Sequence, residues 1–166
     1  MTVLVISGSM GAGKTTVMAE ASDLLAEQGI ALAALDLDAL SIVHGPAADD
    51  LMYANLTTVW TNYSLAGVTR LLVASAVEST RELDRLHAAL ANAEIVVCRL
   101  RAPVTVMEAR VRQRESGIWQ AKYVSRVAKL EHLLTAAGIE DFSIANSDRL
   151  VTEVARELLR RAGWMS

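Results

Sequence analysis

The sequence predicts an α/β protein with a mostly parallel five-stranded sheet covered by helices on both faces. Short apolar runs alternate with longer segments of helical period. Successive apolar runs are separated by a dozen residues or more, the spacing that parallel crossovers need and hairpins do not. The first run, Thr2-Val-Leu-Val-Ile-Ser7, is apolar without interruption at its centre, as suits a strand buried on both faces. At 166 residues and 52% hydrophobic, the chain reads as a single domain over 1–166 with a substantial core.

In order, the first strand spans Val3 to Ile6 and the first helix runs from Lys14 to about Gln28. Val17, Met18, Ala21, Leu24 and Leu25 lie at helical spacing, and Gly29 ends that helix. Ile30 to Leu35 is the second strand, finishing in Asp36-Leu37-Asp38. The segment 39–67 is mostly helical after a loop at His44-Gly45-Pro46, with Asp49 and Asp50 as cap and first-turn acids. Its Tyr53, Leu56, Trp60 and Tyr63 form one stripe. Val68 to Val77 is the third strand, and Ser79 or Thr80 caps the helix that follows. Ala93 to Leu100 is the fourth strand. Helices follow from Pro103 to about Gly117 and from Trp119 to Ala137, then a short fifth strand at Phe142 to Ala145. The last helix, Arg149 to Ala162, is capped by Ser147 or Asp148.

Composition excludes several classes. Two prolines and no low-complexity tract argue against disorder. No apolar run reaches the roughly 20 residues of a membrane helix, and no charged leader precedes the first strand. A net charge of −3 gives no general attraction to nucleic acid or an anionic membrane. The one cysteine, Cys98, sits in an apolar run and cannot form an internal disulfide. These features predict a soluble, cytoplasmic monomer or homodimer. His44, His87 and His132 show no metal-ligand spacing.

The stretch Gly8-Ser9-Met10-Gly11-Ala12-Gly13-Lys14-Thr15, followed by Thr16, reads G-x-x-x-x-G-K-T between a strand and a helix. This is the phosphate-binding loop of P-loop nucleotide-binding proteins. Its glycines let backbone N–H groups point at an anion, the helix N-terminus adds to that field, Lys14 reaches the β- and γ-phosphates, and the Thr15 hydroxyl can take a place on Mg²⁺. Asp36 and Asp38, two apart on a strand, are expected to direct both carboxylates from its carboxyl edge. One would hold Mg²⁺ through water, with Thr15 and Asp38 as the metal-side pair. The other would orient an acceptor hydroxyl. The third strand ends in Val73-Ala74-Ser75, without an acid.

With the loop, the Asp36-Leu-Asp38 strand end and the arginine-bearing helix in hand, the chain resembles the P-loop kinases of small molecules. These include the shikimate, gluconate, adenylylsulfate and nucleoside monophosphate kinases. The resemblance implies strand order 2-3-1-4-5, an acceptor segment at about 39–67 and a lid at about 104–128. It also implies an adenine-stacking role for Arg110 and a phosphate contact for Arg114, four residues on. Arg112 points elsewhere, and Lys122 and Arg126 are further lid candidates.

No lysine or arginine occurs between Lys14 and Arg70. An acceptor with its own phosphate or sulfate needs cations, so the expected acceptor is a neutral or cationic hydroxyl compound. Asp49, Asp50, Asn55, Asn62 and the Tyr53/Trp60/Tyr63 stripe would read it; the stripe's other reading is packing of this helix onto the sheet. The expected activity is thus ATP-dependent, Mg²⁺-assisted phosphorylation, with Lys14, Asp36, Asp38 and Arg114 catalytic. The alternatives are a nucleoside monophosphate-type kinase and a nucleotide-binding ATPase or switch module. The N-K-x-D and D-x-x-G signatures of a GTPase switch do not occur.

Overall fold

The computed structural model describes residues 1–41 and 48–166. The strands β1 (Thr2–Ser7), β2 (Leu32–Asp36), β3 (Arg70–Ala74), β4 (Glu94–Arg101) and β5 (Phe142–Ala145) form one parallel sheet in the order β2-β3-β1-β4-β5. This is the order that the resemblance implies. β1 lies at the centre, pairing along its length with β3 on one side and β4 on the other.

The pleat of β1 divides the core in two. Leu4 and Ile6 pack with Val17, Ala21 and Leu25 of α1 (Lys14–Ala26) and with Leu158 and Leu159 of α6 (Val151–Arg161). The same layer takes Met107 from α4 (Val104–Arg114) and Val127 from α5 (Gln120–Ala137). Val3 and Val5 point the other way. They meet Leu56 and Trp60 of α2 (Ala48–Leu65) and Leu86 of α3 (Thr80–Ala89). Helices therefore cover both faces, as the patterning predicts.

Four local expectations need correction. β2 stops at Asp36, and Leu37–Ser41 turns as a 3-10 helix, so Asp36 and Asp38 do not share one pleat. The cause is local: the Asp38 N–H donates to Asp36 Oδ1 at 3.1 Å, a side-chain bond two residues on that bends the backbone out of the strand. α2 begins at Ala48, so Asp49 and Asp50 lie inside its first turn instead of capping it, and the His44-Gly45-Pro46 loop falls outside the described residues. β3 is shorter than its apolar run, because residues after Ala74 leave the sheet. Neither Ser147 nor Asp148 caps α6; its N-cap is Leu150, and Asp148 takes a left-handed φ of 55°. Ser79, by contrast, does cap α3, accepting from the Glu82 N–H at 3.3 Å.

The α2 stripe is core packing. Leu56 is fully buried and Trp60 is 5% exposed, while Tyr53 and Tyr63 pack at the edge of the same layer. An amphipathic helix lying on a sheet uses its apolar side this way.

Among the described residues, one charged side chain is buried outright. Arg99 on β4, 2% exposed, donates to Glu131 Oε1 at 2.7 Å, Thr135 Oγ1 at 2.8 Å and Glu140 Oε1 at 3.3 Å. The group joins the sheet to α5. Removing one partner from such a cluster strands the other charge. Arg99→Met should therefore cost about 3–5 kcal/mol of stability, read by chemical denaturation. Burial also pushes the Cys98 thiol up to about 12. A thiol reagent at neutral pH should leave the native protein unlabelled and modify Cys98 only on unfolding.

Candidate active site

The carboxyl end of β1 delivers Gly8 to the edge of the sheet, and the loop to Thr15 turns over that edge into α1. Gly11 and Gly13 adopt φ of 77° and 96°. A Cβ at Gly11 would strike the Met107 carbonyl, and one at Gly13 would strike the Asn146 side-chain amide. Conformation and neighbours both demand glycine there.

The loop is braced from outside. Asn146 Nδ2 donates to the Ala12 carbonyl at 2.7 Å, Arg110 donates to the Gly11 carbonyl at 3.2 Å and the Asn146 carbonyl at 2.9 Å, and the Ser9 hydroxyl donates to the Val127 carbonyl at 2.9 Å. Ser9 and Ala12 are fully buried, so they support the loop from beneath. At the start of α1 the N-cap is Gly13, with no side chain to cap the first-turn N–H groups. Such an end is a ready anion site.

Lys14 Nζ donates to the Gly8 and Ser9 carbonyls at 3.0 and 3.3 Å, arched over the loop. Burial lowers its ammonium from the ordinary lysine range, Asp38 and Asp36 pull it back up, and Arg114 pushes it down. The Thr15 hydroxyl donates to Asp36 Oδ2 at 2.8 Å. Thr15 thus meets Asp36, where Asp38 is the expected neighbour, because the turn after β2 carries Asp38 away from the strand edge. Asp38 lies nearer the mouth of the site. Burial raises its carboxyl above the usual range, helped by the charge of Asp36 and opposed by Lys14 and Arg126.

Three cavities surround the loop. One of about 530 Å³ is walled by Lys14, Thr15, Asp36, Asp38, Arg114 and Tyr123, among others. A neighbour of about 430 Å³ shares Lys14, Asp38, Arg114 and Tyr123 with it and adds Ala76, Glu78, Arg126 and Leu130. On the other side of Gly13, a cleft of about 230 Å³ is lined by Thr16, Arg110, Asn146 and Arg149. Among the described residues no group of three or more His, Cys, Asp or Glu side chains could hold a metal. The Thr15 hydroxyl and Asp36 carboxylate are hard oxygen donors of the kind Mg²⁺ accepts alongside water and phosphate.

The loop residues, Asp36, Asp38, Arg110 and Arg114 are therefore brought together. Asn55, Trp60 and Asn62 are not. Asn55 donates to the Leu40 carbonyl at 2.9 Å, fastening α2 to the 3-10 turn. Trp60 lies in the core with its indole N–H 3.4 Å from the Ala91 carbonyl. Asn62 is exposed near the far end of α2, two residues before Ser64, which reaches Met1 at the opposite edge of the sheet. No described side chain of α2 lines either large cavity. Tyr53 lies beneath the Arg85 guanidinium at 4.1 Å, and Asp50 pairs with the same arginine at 2.7 Å.

The wall facing Lys14 comes from residues that sequence reasoning missed or rated low. Glu78 follows β3 in a turn held to β1 by Ser75 N–H to the Ile6 carbonyl and Val77 N–H to Ser7 Oγ, each 3.2 Å. Glu78 is the first acid after β3, four residues past its end. Arg126 of α5 meets Glu78 at 3.1 Å, and Tyr123 lies one turn earlier. Asn146 and Arg149 were also missed; their signal is their place after β5, the strand beside β4. Arg112 pairs with Glu108 at 3.0 Å and Lys122 lies 4.4 Å over Trp119, while His87 and His132 are exposed.

No protein-family model and no curated protein matches the chain by sequence. Solved structures match it by fold along nearly its whole length. A shikimate kinase from Acinetobacter baumannii, bound to shikimate, is 16% identical with a TM-score of 0.62, covering 98% of this chain and 93% of that one. The APS kinase of Mycobacterium tuberculosis, bound to AMPPNP and APS, is 20% identical with a TM-score of 0.62, covering 98% and 97%. The tunicamycin resistance protein of Deinococcus radiodurans is 14% identical with a TM-score of 0.69, covering 99% and 96%. No helix among the described residues is long and apolar enough to cross a membrane. With its sheet order, its braced loop and these likenesses, the chain has the fold of the P-loop kinases, without assignment to a subfamily.

Proposed function

We propose that the chain is an ATP-dependent phosphotransferase acting on a hydroxyl group of a small molecule. One observation carries the reading: Lys14, Asp36, Asp38 and Arg114 converge on a single cavity above a braced phosphate loop. Phosphoryl transfer asks the protein chiefly for position and charge, and these are the groups it uses.

The loop amides and Lys14 would hold the β- and γ-phosphates of ATP, with the base in the cleft between Arg110 and Arg149, whose flat guanidinium groups suit stacking. Thr15 and Asp36, joined at 2.8 Å, fit a Mg²⁺ ion, which when bound would neutralise charge on the phosphate oxygens. The acceptor oxygen would attack the γ-phosphorus while the bond to the bridging oxygen of ADP breaks. Asp38 would orient the acceptor hydroxyl and take its proton late in that transfer. Arg114, the last residue of α4 and part of the proposed lid, would stabilise the transferring group.

The cations beyond the loop are compensated: Arg114 faces Glu115 at 2.8 Å and Arg126 faces Glu78 at 3.1 Å. This supports an acceptor without a phosphate of its own, in place of the nucleoside monophosphate reading. The cation-free segment 39–67 bears on the acceptor less than these ion pairs do, because no described side chain of α2 lines either large cavity.

The direct test is MgATP turnover across hydroxyl compounds and nucleoside monophosphates. Fast phosphorylation of a monophosphate alone would sink the acceptor assignment, and ATP hydrolysis with no acceptor used would favour the ATPase module. Asp38→Asn should lower kcat about 10²–10⁴-fold with ATP binding retained. Asp36→Asn should raise the Mg²⁺ concentration for half-maximal rate about 10- to 100-fold, measured by metal titration of turnover.

A further inference from the structure

Phosphotransfer leaves part of the 430 Å³ cavity without a task. With Lys14 and Arg114 given to phosphates, Asp38 to the attacking hydroxyl and Glu115 paired with Arg114 at 2.8 Å, the remaining polar wall is Glu78 and Arg126, with Tyr123 beside them. Glu78 and Arg126 meet at 3.1 Å on the rim, their side chains 27% and 58% exposed. An ion pair that open to water adds little to stability, and nothing in the packing requires it. Its residues come from separate elements, the turn after β3 and the middle of α5, and together they line this cavity and a smaller one of about 240 Å³ beside it.

The pair is neutral as a unit yet dense in hydrogen-bonding capacity. A guanidinium carries five N–H donors and a carboxylate about four acceptor sites, and one contact between them leaves most of both for a ligand. A ligand anion beside Arg126 would also face Glu78 and Asp38. A ligand cation beside Glu78 would face Arg126, Arg114 and Lys14. A hydroxyl suffers neither conflict, since it donates to Glu78 and accepts from Arg126 at once. Adjacent hydroxyls on one carbon frame suit such a side-by-side acceptor and donor. Apart from Glu115, which faces Arg114, the other lining is apolar or aromatic: Met10, Ala76, Leu130 and the Tyr123 ring. Trp119 continues that aromatic edge, its ring centroid 6.5 Å from that of Tyr123 and tilted by 30°.

We infer that this wall recognises a neutral polyhydroxyl acceptor, a sugar or cyclitol. Glu78 and Arg126 read the hydroxyls that are not phosphorylated, and Tyr123 packs along the carbon face. The inference rests on the phosphotransferase reading above and names its acceptor class. Glu78 and Arg126 are specificity residues here, and the phosphoryl chemistry stays with the loop, Asp38 and Arg114.

The test is a panel of neutral sugars and cyclitols, hydroxy acids, amino alcohols and sugar phosphates, each offered to the full chain with MgATP. Phosphorylated product is read by ³¹P NMR. Acceptor binding in the presence of MgADP is read by tryptophan fluorescence, for which Trp119 is half exposed while Trp60 and Trp164 are 5% and 6% exposed. The expected result is turnover of a neutral polyhydroxyl compound in preference to every charged one. Glu78→Ala and Arg126→Met should each raise the acceptor KM about 10- to 100-fold and leave the KM for ATP unchanged. The double variant should be no worse than the sum of a coupled pair predicts, well short of additive loss. Preference for a charged acceptor, or wild-type acceptor KM in both single variants, overturns the inference. ATP binding without binding or phosphorylation of any neutral polyhydroxyl compound also overturns it and leaves the nucleotide site standing. Failure of the wild-type chain to bind ATP overturns both readings together.

Discussion

A backbone loop can cradle phosphate only if its carbonyls are turned outward and held there, leaving the N–H groups for the anion. In this chain that constraint is met by two side chains. Asn146 holds the Ala12 carbonyl, and Arg110 holds the Gly11 carbonyl and the Asn146 carbonyl. The brace reaches across the sheet, since Asn146 follows β5 and Arg110 lies on α4. Position of β5 at the sheet edge is thus part of the loop's geometry. Gly13 is forced by the same contact: the Asn146 amide that secures Ala12 occupies the space a Cβ would need.

A second chain of bonds sets the order of the acids. Thr15 donates to one oxygen of Asp36, and the Asp38 N–H donates to the other. Asp36 is thereby fixed against α1, and the turn it creates pushes Asp38 outward. Two carboxylates close in sequence acquire different surroundings, one bonded on both oxygens and one facing the mouth of the cavity. Environment divides such pairs into separate roles in many sites.

How much of this could be read beforehand follows from the range of the interactions involved. The phosphate loop was legible because its motif encodes backbone geometry locally, residue by residue. The five strands were legible because apolar runs and crossover lengths are local patterns too. The split between Asp36 and Asp38 was not, since strand alternation and an Asp-induced turn are both compatible with the same three residues. The α2 stripe left two readings open for a different reason: an aromatic face looks the same whether it meets a ligand or a sheet, and here it meets the sheet. Glu78 and Arg126 are 48 residues apart, and no periodicity links them. Their meeting depends on where α5 crosses the sheet, which is a property of the packed core.

That crossing is itself well determined, which bears on how the site works as a unit. Toward one end of its ligand-facing stretch, α5 is held by the Ser9 hydroxyl at the Val127 carbonyl. One turn further on, buried Arg99 holds Glu131 and Thr135 from β4. Tyr123 and Arg126 therefore stand on a helix tied directly to the phosphate loop and to the strand next to β1. A displacement of α5 would break a buried bond at Ser9 or expose the charges around Arg99, both costly. The Tyr123–Arg126 wall and the phosphate loop consequently share one rigid frame. In the stretch before Gln120, Ile118 and Trp119 are exposed, Arg114 is 62% exposed, and Gln120 Nε2 donates to the Arg112 and Glu115 carbonyls. The distance between the Tyr123–Arg126 wall and the phosphate loop is thus set by the packing of α5.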